Sequence, residues 1–329
     1  MGAAYSSGPG SNCSDDEIRS FVGDLESLRS GDLTVSLLVG CGPRAIAPLR
    51  DYLLNGQPRS IFQPRQRAVE ALAELGAKEV LVEYLSRKRI IPDFEIRFGE
   101  EAVENTAARA LVQWPTDDVY ALLCGLAEER MLAGVIETLG KFERLESANI
   151  FVRALGDDVC RPAAEEALRR IAERVKPVLL RAAQPPDAEQ PEKPSERLRR
   201  RSVVRILSDL RLTSADWDAL RPLLHDRERE LAVLAAEIAV DSAPGSEKVA
   251  ATRLLIQALE RASWFSQLHI EDCLRRNYSA VREVIAAAIT DRRQIVQGVP
   301  LADSVLRILE HVRSQAEKSG LVGSKCHGQ

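Results

Sequence analysis

The sequence predicts an all-α fold, an α-solenoid of about nine stacked helix pairs, and three observations lead there. An apolar stripe at i, i+4, i+7, the signature of an amphipathic helix, recurs along the chain with a spacing in the thirties. A second apolar segment separates each stripe from the next. No segment alternates apolar and polar residues while being rich in Val, Ile, Thr and Tyr, so no sheet is expected. Length agrees: 329 residues exceed the roughly 250–300 that one core usually serves, as an elongating array would.

The clearest stripe is Ala68, Leu72 and Leu75, closed by Gly76 as a helix C-cap would be. It returns as Ala107/Leu111/Trp114, Val135/Leu139/Phe142, Ala164/Leu168/Ile171, Val203/Leu207/Leu210 and Val305/Leu309/Val312. Weaker copies centre on Leu38, Ala239 and Leu274, so nine central positions run from 38 to 309 with a mean spacing near 34. One helix and a turn cannot fill that period. The partner helices are expected at Ile46–Leu54, Val80–Leu85, Val119–Leu126, Ile150–Leu155, Val178–Ala182, Trp217–Leu224, Leu254–Leu259 and Val281–Ile289.

Punctuation supports the same division. Asp15 or Asp16 is expected to cap the first helix, and Ser30-Gly31-Asp32 to turn the chain into the second. Trp114-Pro115-Thr116-Asp117 ends one helix and caps the next, and Thr213 to Asp216 resembles a capping box. The expected organisation is a flexible leader at 1–14, the array at 15–316 and a flexible tail at 317–329. Two segments break the period: a loop at 87–100 and a Pro- and acid-rich insertion at 184–195, the latter expected to be mobile and dispensable.

No apolar stretch approaches the roughly 18–20 residues that cross a bilayer. The N-terminus has neither a cationic start nor an apolar core, so a secretory signal is not expected and a cytoplasmic location is. Gly2 with Ser6 fits a myristoylation pattern, which leaves lipidation there open; Cys326 precedes His327 and Gly328, which are not aliphatic, so prenylation is not expected. The six cysteines form no CxxC pair and suit neither a zinc site nor a disulfide framework, so reduced thiols are expected. Thirty-seven Arg against eight Lys, with abundant Ala and Leu, suggests a GC-rich bacterial coding sequence.

The segment from Ala154 to Leu168, ALGDDVCRPAAEEAL, resembles a HEAT repeat of the phycobilisome-lyase type. The likeness lies in Leu155 then Asp157 at the turn, Arg161, and the Ala163-Ala164 and Ala167-Leu168 pairs. Leu223-Leu224-His225-Asp226, leading to Ala235-Ala236-Glu237, is a looser copy. Arg65 and Arg200 stand, like Arg161, seven residues before a central Leu, and the resemblance implies a structural ion pair with a turn Asp for such an Arg. The likeness covers residues 15 to 316. It implies architecture rather than activity, because HEAT arrays serve mostly as binding scaffolds.

The composition offers little chemistry. There are four histidines and no His-Glu dipeptide of the kind that binds iron in HEAT-type hydroxylases. GxSxG, HExxH and phosphate-loop motifs are absent, and Glu100-Glu101 and Glu165-Glu166 diverge by about a hundred degrees on a helix. No catalytic residue, metal or cofactor is therefore expected. A net charge of −4 speaks against nucleic acid as partner and against HEAT-like DNA repair. The expected function is a scaffold binding a protein partner through concave helices and inserted loops; the alternative is a bilin-lyase-type chromophore attachment enzyme. Candidate binding residues are Arg87, Lys88 and Arg89 beside Phe94 and Phe98, which mix charge and aromatic rings as interfaces do. The second candidate is the cationic cluster Arg197, Arg199, Arg200 and Arg201.

Overall fold

The computed structural model describes residues 13–27, 29–185, 191–295 and 303–318. Among these, the chain forms seventeen α-helices and no strand. It divides into two units, Met1–Ile171 and Ala172–Gln329. The first holds α1 (Asp15–Asp24), α2 (Gly31–Gly40), α3 (Ile46–Asn55), α4 (Gln63–Glu74), α5 (Lys78–Ser86) and α6 (Phe94–Ala110). It continues with α7 (Asp117–Glu129), α8 (Ala133–Phe142), α9 (Ala148–Ala154) and the start of α10 (Arg161–Ala183). Even-numbered helices pack in succession, α2 on α4, α4 on α6 and α6 on α8. Odd-numbered helices do the same, α3 on α5, α5 on α7 and α7 on α9.

The second unit holds the end of α10, then α11 (Pro194–Ser208), α12 (Ser214–Leu220), α13 (Arg229–Ser242), α14 (Gly245–Ala258), α15 (Trp264–Arg276), α16 (Tyr278–Ile295) and α17 (Ser304–Lys318). Here α11 packs on α13, α13 on α15 and α15 on α17, with α14 on α16. The stripes explain why. Leu38, Leu72, Leu111, Leu139, Leu168, Leu207, Ala239, Leu274 and Leu309 are all fully buried, so each takes its apolar area out of water.

Several termini are set by local chemistry. Ser14, rather than Asp15 or Asp16, caps α1: its hydroxyl accepts from the Glu17 amide at 3.2 Å while Glu17 accepts from the Ser14 amide at 2.7 Å. Asp15 and Asp16 fall in the first turn, where negative charge suits the helix dipole. Thr213 and Asp216 form the capping box expected of them. Gly76 takes φ +74°, and the Ala77 amide reaches back to the Leu72 carbonyl at 2.9 Å, the six-to-one bond of a Schellman ending.

Four further features differ from the sequence expectation. No separate helix forms at Val178–Ala182, because α10 runs unbroken for 23 residues with Pro177 inside it. No Gly or capping residue interrupts Ala172 to Lys176, and Val175 and Leu179 are buried on either side of the proline. The 87–100 loop is shorter than expected, since Asp93 accepts from the Ile96 amide at 2.9 Å and starts α6 at Phe94. Trp114 is only half-buried, because the regular helix ends at Ala110 and a 3-10 turn rotates Trp114 off the stripe.

The fourth difference is Cys13–Cys41, a disulfide with the Cα atoms 5.4 Å apart. Helices α1 and α2 are equal in length and pack on each other, so the chain just before the first meets the residue after the second. Spacing along the chain does not signal that meeting. Cys124, Cys160 and Cys273 are free thiols, the last two buried. Gly2 and Cys326 lie outside the described residues, as do most of the leader and of the 317–329 tail. Among the described residues no helix is long and apolar enough to cross a membrane.

Candidate interaction surface

A buried polar network in the first unit sets the geometry of the 87–98 segment. Arg65 of α4 donates to both carboxylate oxygens of Glu100 on α6, at 3.1 and 3.0 Å, and to the Leu53 carbonyl at 3.0 Å. The Tyr84 hydroxyl of α5 donates to the same carboxylate at 2.8 Å. Burial, with the neighbouring Glu100 charge, pushes the Tyr84 hydroxyl pKa well above its ordinary value. Arg89 lies over the Tyr84 ring at 4.4 Å and pairs with Glu100 at 3.2 Å. Next along α6, the Glu104 carboxylate takes a hydrogen bond from Arg130 at 2.7 Å. Burial raises its pKa, and Arg130 only partly opposes that.

The three guanidinium groups of Arg65, Arg89 and Arg130 thus face two carboxylates, Glu100 and Glu104. Saturation is incomplete. Both terminal nitrogens of Arg89 and the second oxygen of Glu104 are buried without a hydrogen bond. The sequence sets Glu100 only beside its neighbour Glu101 and gives no sign of this role. The partner that matters, Arg65, is 35 residues away along the chain.

The network pins the connection between α5 and α6 at Arg89, while Arg87 is tied to Glu83 at 2.6 Å and to the Leu54 carbonyl at 3.1 Å. Beyond Arg89 the chain turns its apolar side chains outward. Ile90 is 96 % exposed, and Phe94 and Phe98, one turn apart on α6, are 68 % and 59 % exposed. Arg97 sits 5.6 Å from the Phe94 ring. The chain therefore holds three large apolar side chains in water on one short, internally anchored segment.

Two clefts flank it. One, of about 480 Å³, lies between the connection and α7, with Arg87, Lys88, Arg89 and Arg130 around a floor that includes Leu122 and Gly125. The other, of about 450 Å³, is bordered by Tyr52, Arg59, Ile61, Arg65 and Ile96.

The Arg197–Arg201 cluster is placed differently. Arg200 is buried and donates to the Ala183 carbonyl at 3.1 Å, to both oxygens of Glu192 at 3.0 Å and to Asp226. Arg197 and Arg201 face Glu228 at 3.8 and 2.8 Å, and Arg201 also pairs with Glu230 at 2.8 Å. Arg199 is part-buried. A cluster whose charges are largely matched from within, and whose central member is core, is a poor docking spot. The 184–195 insertion supplies one of Arg200's partners, Glu192; residues 186–190 lie outside the described set.

The remaining titratable groups suit structure better than catalysis. Burial drives the Cys160 thiol up to about 12 and the Cys273 thiol higher still, so neither is a ready thiolate. His269 stacks edge-on against Phe265, with centroids 4.6 Å apart, and His311 stands 3.5 Å from Glu271. Among the described residues no three His, Cys, Asp or Glu side chains are grouped so as to hold a metal ion. Neither the models of known protein families nor the curated proteins compared with this sequence give a match.

Proposed function

We propose that the chain is a non-catalytic scaffold of HEAT-like repeats that docks a protein partner on the face carrying residues 87–98. The observation that carries this reading is the exposure of Ile90, Phe94 and Phe98 on a segment that Arg89 and Asp93 hold in place. An anchored segment gives up little conformational freedom on binding, which is how interface anchors gain affinity. The array itself is supported by the in-row packing of alternate helices within each unit. The pair Arg200–Asp226 supports it as well, joining one of the three repeat-position arginines to a turn aspartate, while Arg161 pairs with Asp158 rather than with Asp157. A cytoplasmic, bacterial setting belongs to the same reading, although the Cys13–Cys41 disulfide speaks for an oxidising compartment. Alkylation of Cys13 and Cys41 in intact cells checks the compartment, because glutathione would hold the pair reduced in the cytoplasm.

Affinity capture from native lysate with the immobilised full chain, compared with Phe94→Ala and Ile90→Asp variants, tests the function. A partner captured by the unaltered chain and lost with both variants, at an unchanged melting midpoint, is the expected result. Equal capture by all three would remove the 87–98 face from the reading.

A further inference from the structure

We propose that the cleft between the α5–α6 connection and α7 is a receptor for an acidic peptide segment, one that places carboxylates among the basic side chains and an apolar side chain on the α7 floor. The inference rests on the scaffold reading and names the chemistry of the partner at one of its sites. Four of the residues that line the cleft, Arg87, Lys88, Arg89 and Arg130, are basic, and Glu129 is its one acid. Lys88 pairs with Glu129 at 2.7 Å, and the acids that pair with the other three bases, Glu83, Glu100 and Glu104, do not line the cleft, so the lining itself carries four basic side chains against one acidic one.

A second observation points to a missing acceptor. Neither terminal nitrogen of Arg89 makes a hydrogen bond although both are withdrawn from water, and Glu100 meets only one of them, as an ion pair at 3.2 Å. Buried donors without acceptors cost free energy, and a guanidinium fork is matched best by a carboxylate. Glu100 cannot fully serve, since its oxygens already accept from Arg65 and Tyr84. A carboxylate entering beside Lys88, with a small turn of the Arg89 fork towards it, would relieve this.

The floor fits an extended chain. Ala121 and Gly125 stand one turn apart on the outer face of α7, and a side chain at Gly125 would meet nothing within 4 Å. Leu122 beside them and the exposed Ile90 opposite supply the apolar contact. About 480 Å³ is ample for a few side chains and falls within the usual range of ligand clefts, about 300–1,000 Å³.

The test uses the full chain and two fluorescein-labelled peptides read by anisotropy, Leu-Asp-Asp-Leu-Asp-Asp and its counterpart with Asn in place of every Asp. The acidic peptide should bind at least about tenfold more tightly than the amide one, and less tightly as salt is raised. Gly125→Leu, which fills the floor from an open position, and Lys88→Glu, on a side chain 80 % exposed, should each weaken binding about tenfold without lowering the melting midpoint. Equal affinity for the two peptides, no binding of either, or undiminished binding to Gly125→Leu would overturn the proposal. Partner capture lost with Phe94→Ala but kept with Gly125→Leu would reject the cleft and leave the scaffold reading standing. Capture that neither variant alters would reject both.

Discussion

Arg197 and Arg200 stand one turn apart in the same basic run, yet their environments assign them opposite weights. Arg200 is 1 % exposed and has acceptors on every side, from Ala183, Glu192 and Asp226. Removing one member of a buried ion pair strands the other charge, which costs about 3–5 kcal/mol. Arg200→Ala should therefore lower stability by that amount in urea melts. Arg197→Ala, whose partner is 3.8 Å away at the surface, should change it by less than about 1 kcal/mol. Replacing Arg199, Arg200 and Arg201 together by Ala would accordingly act as a folding mutation, not as a probe of binding.

Glu237 on α13 makes a pH-dependent contribution of the opposite kind. Burial lifts its carboxyl from the ordinary 4.5 to about 7, against the pull of Arg205 and Arg276 and with Asp241 adding to the rise. The folded chain thus holds a proton between these values that the unfolded chain has released. Stability from this residue is present below pH 4.5 and is lost as pH rises through about 7. Melts between pH 5 and 8 should show Glu237→Gln gaining on the unaltered chain as pH rises. Parallel curves for the two proteins would contradict the assignment.

At the scale of elements, the rows are held by close approaches that glycine permits, and two glycines with the same intrinsic helix cost make the point. A Cβ at Gly134 of α8 would lie 2.3 Å from the Asn105 carbonyl oxygen of α6, in contact with backbone that cannot swing away. A Cβ at Gly125 of α7 meets nothing. Gly125→Ala should stabilise by about 0.5–1 kcal/mol through helix propensity. Gly134→Ala should destabilise by about 1–3 kcal/mol in spite of it, because overpacking forces α6 and α8 apart. Urea melts that move the same way for both would mean that α6 and α8 are not in close contact at Gly134.

The rows themselves are legible in the sequence because burial leaves a local record. Leu72 or Leu139 can be recognised as core from neighbours three and four residues away on the same helix, and both are fully buried. Pairings made across the fold leave no such record. Glu100 looks like half of a solvated acidic doublet until α4 brings Arg65 to it, and Cys13 and Cys41 meet only because two helices of equal length fold back on each other. The 87–98 face is half legible: the residue types mark it, but only the N-cap at Asp93 and the Arg89 anchor decide which side chains reach water.

For the whole molecule, the spacing of its tertiary contacts decides how it should come apart. Several ion pairs between helices in the first unit join residues 33 to 35 apart, as with Arg50–Glu83, Arg65–Glu100 and Arg67–Asp32, and other contacts, such as the Tyr84–Glu100 hydrogen bond, join residues closer still. Helix α4 packs chiefly on α2, α3, α5 and α6, its nearest neighbours along the chain. In such nearest-neighbour packing, stability is a sum of local terms, and the loss of one interface is felt mainly by the helices that share it. Leu72→Ala, at a fully buried position of α4, should cost about 2–5 kcal/mol locally. Hydrogen exchange should then speed up across α2 to α6, while amides of α13 to α17 keep the protection they have in the unaltered chain. Uniform acceleration over both units would show one cooperative core, and would remove the ground for reading this chain as a repeat array.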